Sequence, residues 1–239
     1  MNESPAPLNS GVRIWTSHLD QLSNARLAEL ESLLDETERT RAARFHFARD
    51  RRHYVAARGL LRERIGCALD VSPTSVQFSI GPRGKPSAAQ TNREDRSLRF
   101  NLSHSAGWAI FAVSWDHEVG IDLESRARLT ANSDENLSGL AARVLSAREL
   151  SLWRALPDDA ARHSAFIRAW TRKEAYAKAT GAGVFDGLRE IEVILDAAAP
   201  EPSLIITQPC DRAPNGWTLH DLDAPDGFAA ALAVARPRG

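Results

Sequence analysis

Twice along this chain a block of helix-patterned sequence gives way to a block of strand-patterned sequence, and that repeated order limits the fold most. In the first half a short strand at Val12–Trp15 precedes a leucine stripe over Leu22–Leu34 and a basic helical region from about Glu36 to Leu69. Val71-Ser72-Pro73 ends that helix, and strand patterns follow at Val76–Ile80, Leu98–Asn101 and Gly107–Trp115. The second half restarts with helix at Leu137–Val144, a capping box at Ser146-Ala147-Arg148-Glu149 and a long run over Ala161–Ala179. Strand patterns at Ile191–Leu195, Leu204–Thr207, Trp217–Leu222 and Phe228–Ala235 complete it. The expectation is an α+β chain: a pseudo-two-fold arrangement of two similar α+β subdomains, residues 12–117 and 118–239, behind a flexible lead at 1–11. At 239 residues, each half is long enough for its own core. Ile110–Val113 and Val119–Leu123, parted by Asp116-His117, read as a hairpin at the junction, where ligand sites are common.

The junction strand Val119-Gly120-Ile121-Asp122-Leu123-Glu124 carries two acids at i and i+2, on one face, with Val119, Ile121 and Leu123 on the other. Two such acids repel, share a proton or hold a cation; an ordinary solvated acidic face is the plain alternative. In the long second-half helix, Trp170, Lys173, Glu174, Ala177 and Lys178 fall at i, i+3, i+4, i+7 and i+8, on one face. Burying three charges there is costly without partners. Glu174 beside Asp122 and Glu124 around a hard cation would resolve this; a surface Glu174–Lys178 pair, worth about 0.3 kcal/mol, is the alternative. Of 30 basic residues only Lys85, Lys173 and Lys178 are lysine. Two of these stand on that one face, where a compact ammonium differs in use from a guanidinium.

Between Arg39 and Arg64 nine arginines face only Asp50 and Glu63. Such a run is either a solvated face or an anion site, phosphate being the obvious anion. The loop Gly81-Pro82-Arg83-Gly84-Lys85-Pro86 allows close backbone approach and brings a charge. Ser103-His104-Ser105 reads as a turn at a strand end, either a phosphate grip or a local serine turn. Net charge of −1 argues against bulk nucleic-acid affinity. The longest apolar run, Phe228–Val234, is too short to span a bilayer, and Met1–Ser10 has no apolar signal core. Cys67 and Cys210 lack metal-ligand spacing, so a reducing, cytoplasmic setting is expected.

Taken together, Asn101-Leu102-Ser103-His104-Ser105, Gly120-Ile121-Asp122-Leu123-Glu124 and Trp170-Thr171-Arg172-Lys173-Glu174-Ala175 with Lys178 resemble the signature set of the 4′-phosphopantetheinyl transferase superfamily. Length and two-half layout resemble its larger, monomeric Sfp-type branch, as do Gly84-Lys85-Pro86 and the Arg51–Arg62 helix. The resemblance spans about residues 12–235. It implies an enzyme that moves phosphopantetheine from coenzyme A to a serine of an apo acyl or peptidyl carrier protein, releasing 3′,5′-ADP. Carriers of fatty-acid, polyketide and nonribosomal-peptide synthases are the implied partners, with no nucleic acid and no membrane.

Residue by residue, the resemblance makes Asp122, Glu124 and Glu174 ligands of Mg²⁺, with Mn²⁺ as an alternative. Glu174 would also deprotonate the acceptor serine, Lys178 would stabilise the transferring phosphoryl group, and Lys173 and Trp170 would shape and neutralise that pocket. Ser103 and His104 would grip coenzyme A phosphates, Lys85 and Pro86 would line the adenine side, and Arg52 and Arg58 would take the 3′-phosphate. A basic position ahead of the helix appears here as Glu38, with Arg41 the nearest substitute. Arg172, Val184 and Phe185 would face the carrier, although Gly181–Phe185 reads equally well as a buried connection. Two other readings stay open: a Mg²⁺-dependent phosphodiester hydrolase, and a non-catalytic module that grips an anionic partner.

Overall fold

The computed structural model describes residues 6–7, 11–81, 84–89, 97–115, 117–127, 134–181, 187–195, 204–206 and 216–235. The chain is α+β and divides into two compact units, Met1–Asp116 and His117–Gly239. Among the described residues no helix is long and apolar enough to cross a membrane.

In the first unit, strands β1 (Ala6–Pro7), β2 (Val12–His18), β5 (Arg99–Ser105) and β6 (Trp108–Ser114) form an antiparallel sheet in the order β1-β2-β6-β5. The short strands β3 (Phe78–Ile80) and β4 (Pro86–Ala88) make a separate hairpin. Helices α1 (Asn24–Ser32), α2 (Glu36–Ala43) and α3 (Ala48–Leu69) complete the unit. Its core joins Leu60, Leu61 and Ile65 of α3 to Phe100 of β5 and Phe111 of β6. Each such side chain contributes about 1.5–3 kcal/mol by leaving water. Gly59 sits where a Cβ would stand 2.6 Å from the Leu30 Cβ, so α1 and α3 cross nearly backbone to backbone.

Several arginines of α3 point inward. Arg62 is fully buried. Its Nε donates to Glu38 Oε2 (2.6 Å), Nη2 to Asp35 Oδ2 (2.6 Å), and Nη1 to the carbonyls of Pro73 (3.1 Å) and Val76 (3.0 Å). Asp35 and Glu38 are the capping box of α2. One guanidinium thus ties the start of α2 and the turn after α3 to the helix between them. Replacing Arg62 by Leu leaves Glu38 with Arg58 alone, and is expected to destabilise the protein by about 3 kcal/mol, read as a lower urea midpoint. An unchanged midpoint would refute this account of the basic run.

In the second unit, strands β10 (Trp217–Leu222), β11 (Phe228–Ala235) and β7 (Val119–Ser125) form an antiparallel sheet in that order. β8 (Ile191–Val193) pairs with β9 (Leu204–Ile206). Helices α4 (Asp134–Val144), α5 (Ala147–Arg154) and α6 (Asp159–Thr180) accompany them, and α6 lies across β7 and β11. Asp158 caps α6 by accepting from Ala161 N, and Gly181 ends it in the left-handed region at φ 68°. Phe166, Ile167, Trp153, Leu145 and Leu219 are core residues of this unit.

The junction hairpin does not form. β6 pairs with β2 and β5, whereas β7 pairs with β11, Asp122 standing opposite Ala231. The hairpin that does form is β5–β6, turning at Ala106-Gly107, both at positive φ (42° and 84°). That φ pattern suits a two-residue turn between twisted strands. Ser103-His104-Ser105 is therefore strand rather than turn, paired with Ile110, Ala109 and Trp108.

Candidate active site

The site begins with a missing side chain. Gly120 of β7 faces α6 so closely that a Cβ there would lie 2.1 Å from the Ala175 carbonyl oxygen and 2.3 Å from the Ala179 amide nitrogen. Two residues on, the pleat returns Asp122 to the same face. There Lys178 Nζ donates to Asp122 Oδ1 at 2.6 Å. One turn earlier on α6, Glu174 is buried and its Oε1 has no hydrogen-bond partner among the described residues. Burial, and next the charge of Asp122, push the Glu174 carboxyl up from 4.5 to about 7; Lys178 opposes the rise and Glu124 adds to it. Asp122, Glu124, Glu174 and Lys178 therefore share one electrostatic environment, as the junction strand and the helix face suggested.

Among the described residues, no three His, Cys, Asp or Glu side chains converge as a ready-made metal cluster. The donor chemistry nonetheless fits a hard cation. A buried carboxylate oxygen with no donor, held beside two further acids, is an all-oxygen set of the kind Mg²⁺ takes. Such an ion would offset the repulsion from Asp122 and Glu124 that adds to burial in raising Glu174.

Lys173 does not join this group. It is fully buried, and its Nζ donates to Glu149 Oε2 (2.5 Å) and to the carbonyls of Val144 (2.9 Å) and Leu188 (3.0 Å). Neighbouring helix positions diverge by about 100°, so residues 173 and 174 serve different surroundings. Desolvation lowers the Lys173 pKa, against the pull of Glu149. Trp170 is half-buried and packs on Phe166, ring centroids 6.0 Å apart. Arg172 is turned inward instead of toward a partner. Its Nε and Nη2 grip Asp221 at 2.7 and 2.6 Å, and Nη1 donates to the Ile194 carbonyl at 2.5 Å. Val184 and Phe185 lie outside the described residues.

The first unit also redistributes its candidates. Arg58 Nε donates to Glu38 Oε1 at 2.8 Å, and its guanidinium lies 4.4 Å from the Phe78 ring centroid. Arg52 donates to Asn24 Oδ1 at 3.1 Å and to the Leu22 carbonyl. Both arginines hold α3 to its neighbours. By contrast, Arg41 and Arg44 are exposed and line an open groove of about 780 Å³ with Glu36, Thr37, Thr40 and Phe45. The sequence signalled Arg41 only as the substitute for the position at Glu38, and Arg44 only as one of the basic run. Ser103 is buried and His104 exposed, on opposite faces of β5. Lys85 closes the β3–β4 hairpin, its carbonyl accepting from Gly81 N at 2.9 Å, and Pro86 opens β4 opposite Ile80.

The family model described as the 4′-phosphopantetheinyl transferase superfamily matches residues 118–233, and that described as 4′-phosphopantetheinyl transferase, N-terminal, matches residues 15–116. The chain is 41% identical over 228 residues to 4′-phosphopantetheinyl transferase HetI of Nostoc sp. (strain PCC 7120), a match covering 95% of this chain and 89% of that protein. It is 31% identical over 219 residues to 4′-phosphopantetheinyl transferase psf-1 of Bacillus pumilus, covering 91% and 86%. A third match, 27% identical over 201 residues, is to the L-aminoadipate-semialdehyde dehydrogenase-phosphopantetheinyl transferase of Xenopus laevis, covering 82% and 67%. With both units matched and the acidic strand and α6 inside the matched region, the chain belongs to the 4′-phosphopantetheinyl transferase superfamily, in its Sfp-type branch.

Proposed function

We propose that this chain is a 4′-phosphopantetheinyl transferase that moves the phosphopantetheine of coenzyme A onto a serine of an apo acyl or peptidyl carrier protein. The observation that carries this reading is the buried, undonated oxygen of Glu174 beside the Asp122–Lys178 pair, on the strand and helix that match the family. The serine Oγ attacks the β-phosphorus of coenzyme A. The bond from that phosphorus to the bridging oxygen breaks, and 3′,5′-ADP leaves with the bonding electrons. Glu174 accepts the serine proton, its buried carboxylate oxygen taking no donor from the described residues. Lys178 holds positive charge where the phosphoryl oxygens gain negative charge.

Asp122, Glu124 and Glu174 would hold a divalent cation, Mg²⁺ or Mn²⁺, which when bound supplies charge that offsets the pyrophosphate. On the first unit, Lys85, Pro86, Ser103 and His104 remain the proposed contacts for coenzyme A. Arg41 and Arg44 replace Arg52 and Arg58 as the proposed 3′-phosphate contacts, because they line an open groove. Trp170 remains a proposed wall of the phosphate pocket. A cytoplasmic monomer serving secondary-metabolite or fatty-acid synthases completes the proposal.

The test is to incubate the protein with coenzyme A, Mg²⁺ and a panel of apo carrier proteins and to read intact masses. One added phosphopantetheinyl group, lost on chelation, is the expected result. A protein that neither modifies a carrier nor binds coenzyme A would sink the reading.

A further inference from the structure

The transfer step has no use for Lys173, yet its ammonium is completely engaged. An ammonium has three N–H donors, and all three are taken, by Glu149, the Val144 carbonyl and the Leu188 carbonyl. Nothing is left to give a phosphate. Glu149 is equally occupied: Oε2 also accepts from Ser146 N (2.7 Å) and Oε1 from Val193 N (2.6 Å). Ser146 Oγ in turn donates to Glu192 Oε1 at 2.7 Å. The end of α4, the start of α5 and the turn at Leu188 therefore converge on one side chain of α6, and strand β8 joins them through Glu149. The next residue is Glu174.

We infer that Glu149 and Lys173 form a brace that fixes the rotation of α6 about its own axis and so aims Glu174 and Lys178 at Asp122. Both are positioning residues; neither touches substrate. Gly120 sets how near α6 lies to β7, and the brace sets which way α6 faces. Turning α6 enough to free Lys173 would carry Glu174 with it, because the two side chains project from adjacent positions of one rigid helix. This rests on reading Glu174 as the base.

The test compares Glu149→Gln, Lys173→Met, their double variant and Glu174→Gln. Each is assayed for transfer turnover, for coenzyme A affinity by calorimetry with Mg²⁺, and for fold by circular dichroism. Glu149→Gln is expected to lower kcat between about 10- and 100-fold, the scale of a small misplacement of reacting groups. Coenzyme A affinity should stay within about twofold, because a transition-state alignment is lost and a ground-state contact is not. The double variant should be no slower than the slower single one, as for residues that act as a unit. Wild-type kcat in folded Glu149→Gln would overturn the brace. So would Lys173→Met binding coenzyme A about tenfold more weakly, the behaviour of a phosphate contact. Should Lys173→Met fail to fold, Glu149→Gln decides alone. Glu174→Gln separates the two readings. Wild-type turnover there removes the base assignment, whereas an inactive Glu174→Gln beside a wild-type Glu149→Gln removes only the brace.

Discussion

Glu174→Gln should stop carrier modification while making the metal-free protein more stable above neutral pH. The loss of a positioned base costs about 10²–10⁴-fold in turnover. The gain in stability follows from the same burial. Below about pH 4.5 Glu174 is protonated folded and unfolded, and contributes nothing to the pH dependence. Between 4.5 and about 7 the unfolded chain gives up the proton while the folded one keeps it, so stability falls as pH rises. Above 7 the full penalty stands, at most about 3 kcal/mol for a shift of this size. Gln carries no such penalty. Thermal unfolding in chelator should therefore show Glu174→Gln matching wild type near pH 4 and exceeding it at pH 8. A difference that does not grow with pH would contradict the assigned burial of the carboxylate, and retained transfer would contradict the assigned role.

Gly120→Ala should be far more damaging than the same change at Gly139. The added Cβ would meet backbone atoms of Ala175 and Ala179 at 2.1 and 2.3 Å, and backbone cannot rotate aside. Overpacking costs about 1–3 kcal/mol, and contact with unyielding backbone puts this case at the upper end. Helix and strand must part, carrying Asp122 away from Glu174, so transfer should fall even where the fold survives. Gly139 of α4 is the control: a Cβ there meets nothing within 4 Å, and Ala should stabilise by about 0.5–1 kcal/mol. If the two variants unfold at the same temperature, the close approach of β7 and α6 does not hold in solution.

What the sequence could disclose followed the range of the signal. Helical periodicity located α6, and alternation located β7, because both patterns lie within a few residues. The face of Asp122 and the placement of Glu174 and Lys178 opposite it followed from those two periods. Strand pairing did not, because it is non-local. Proximity in sequence suggested that β6 and β7 pair, whereas the partner of β7 is β11, some hundred residues on. The same limit hid Lys173. Periodicity put it on the buried face, but the carboxylate that meets it belongs to Glu149, on another helix. Charge counting marked Arg52, Arg58 and Arg62 as a basic run without revealing that Asn24, Glu38 and Asp35 had already engaged them. Arg172 was misread toward a partner for the same reason, since Asp221 lies far along the chain.

The contact between Gly120 and α6 also restricts how this chain can change in length. Inserting or deleting one residue within β7 would exchange its two faces, setting a branched side chain where only a hydrogen fits and sending both acids away from the helix. A two-residue change keeps the faces but replaces the glycine at the contact with Asp122 or Glu118. Neither edit leaves the site intact, so variation in this part of the chain is confined to letters and closed to length.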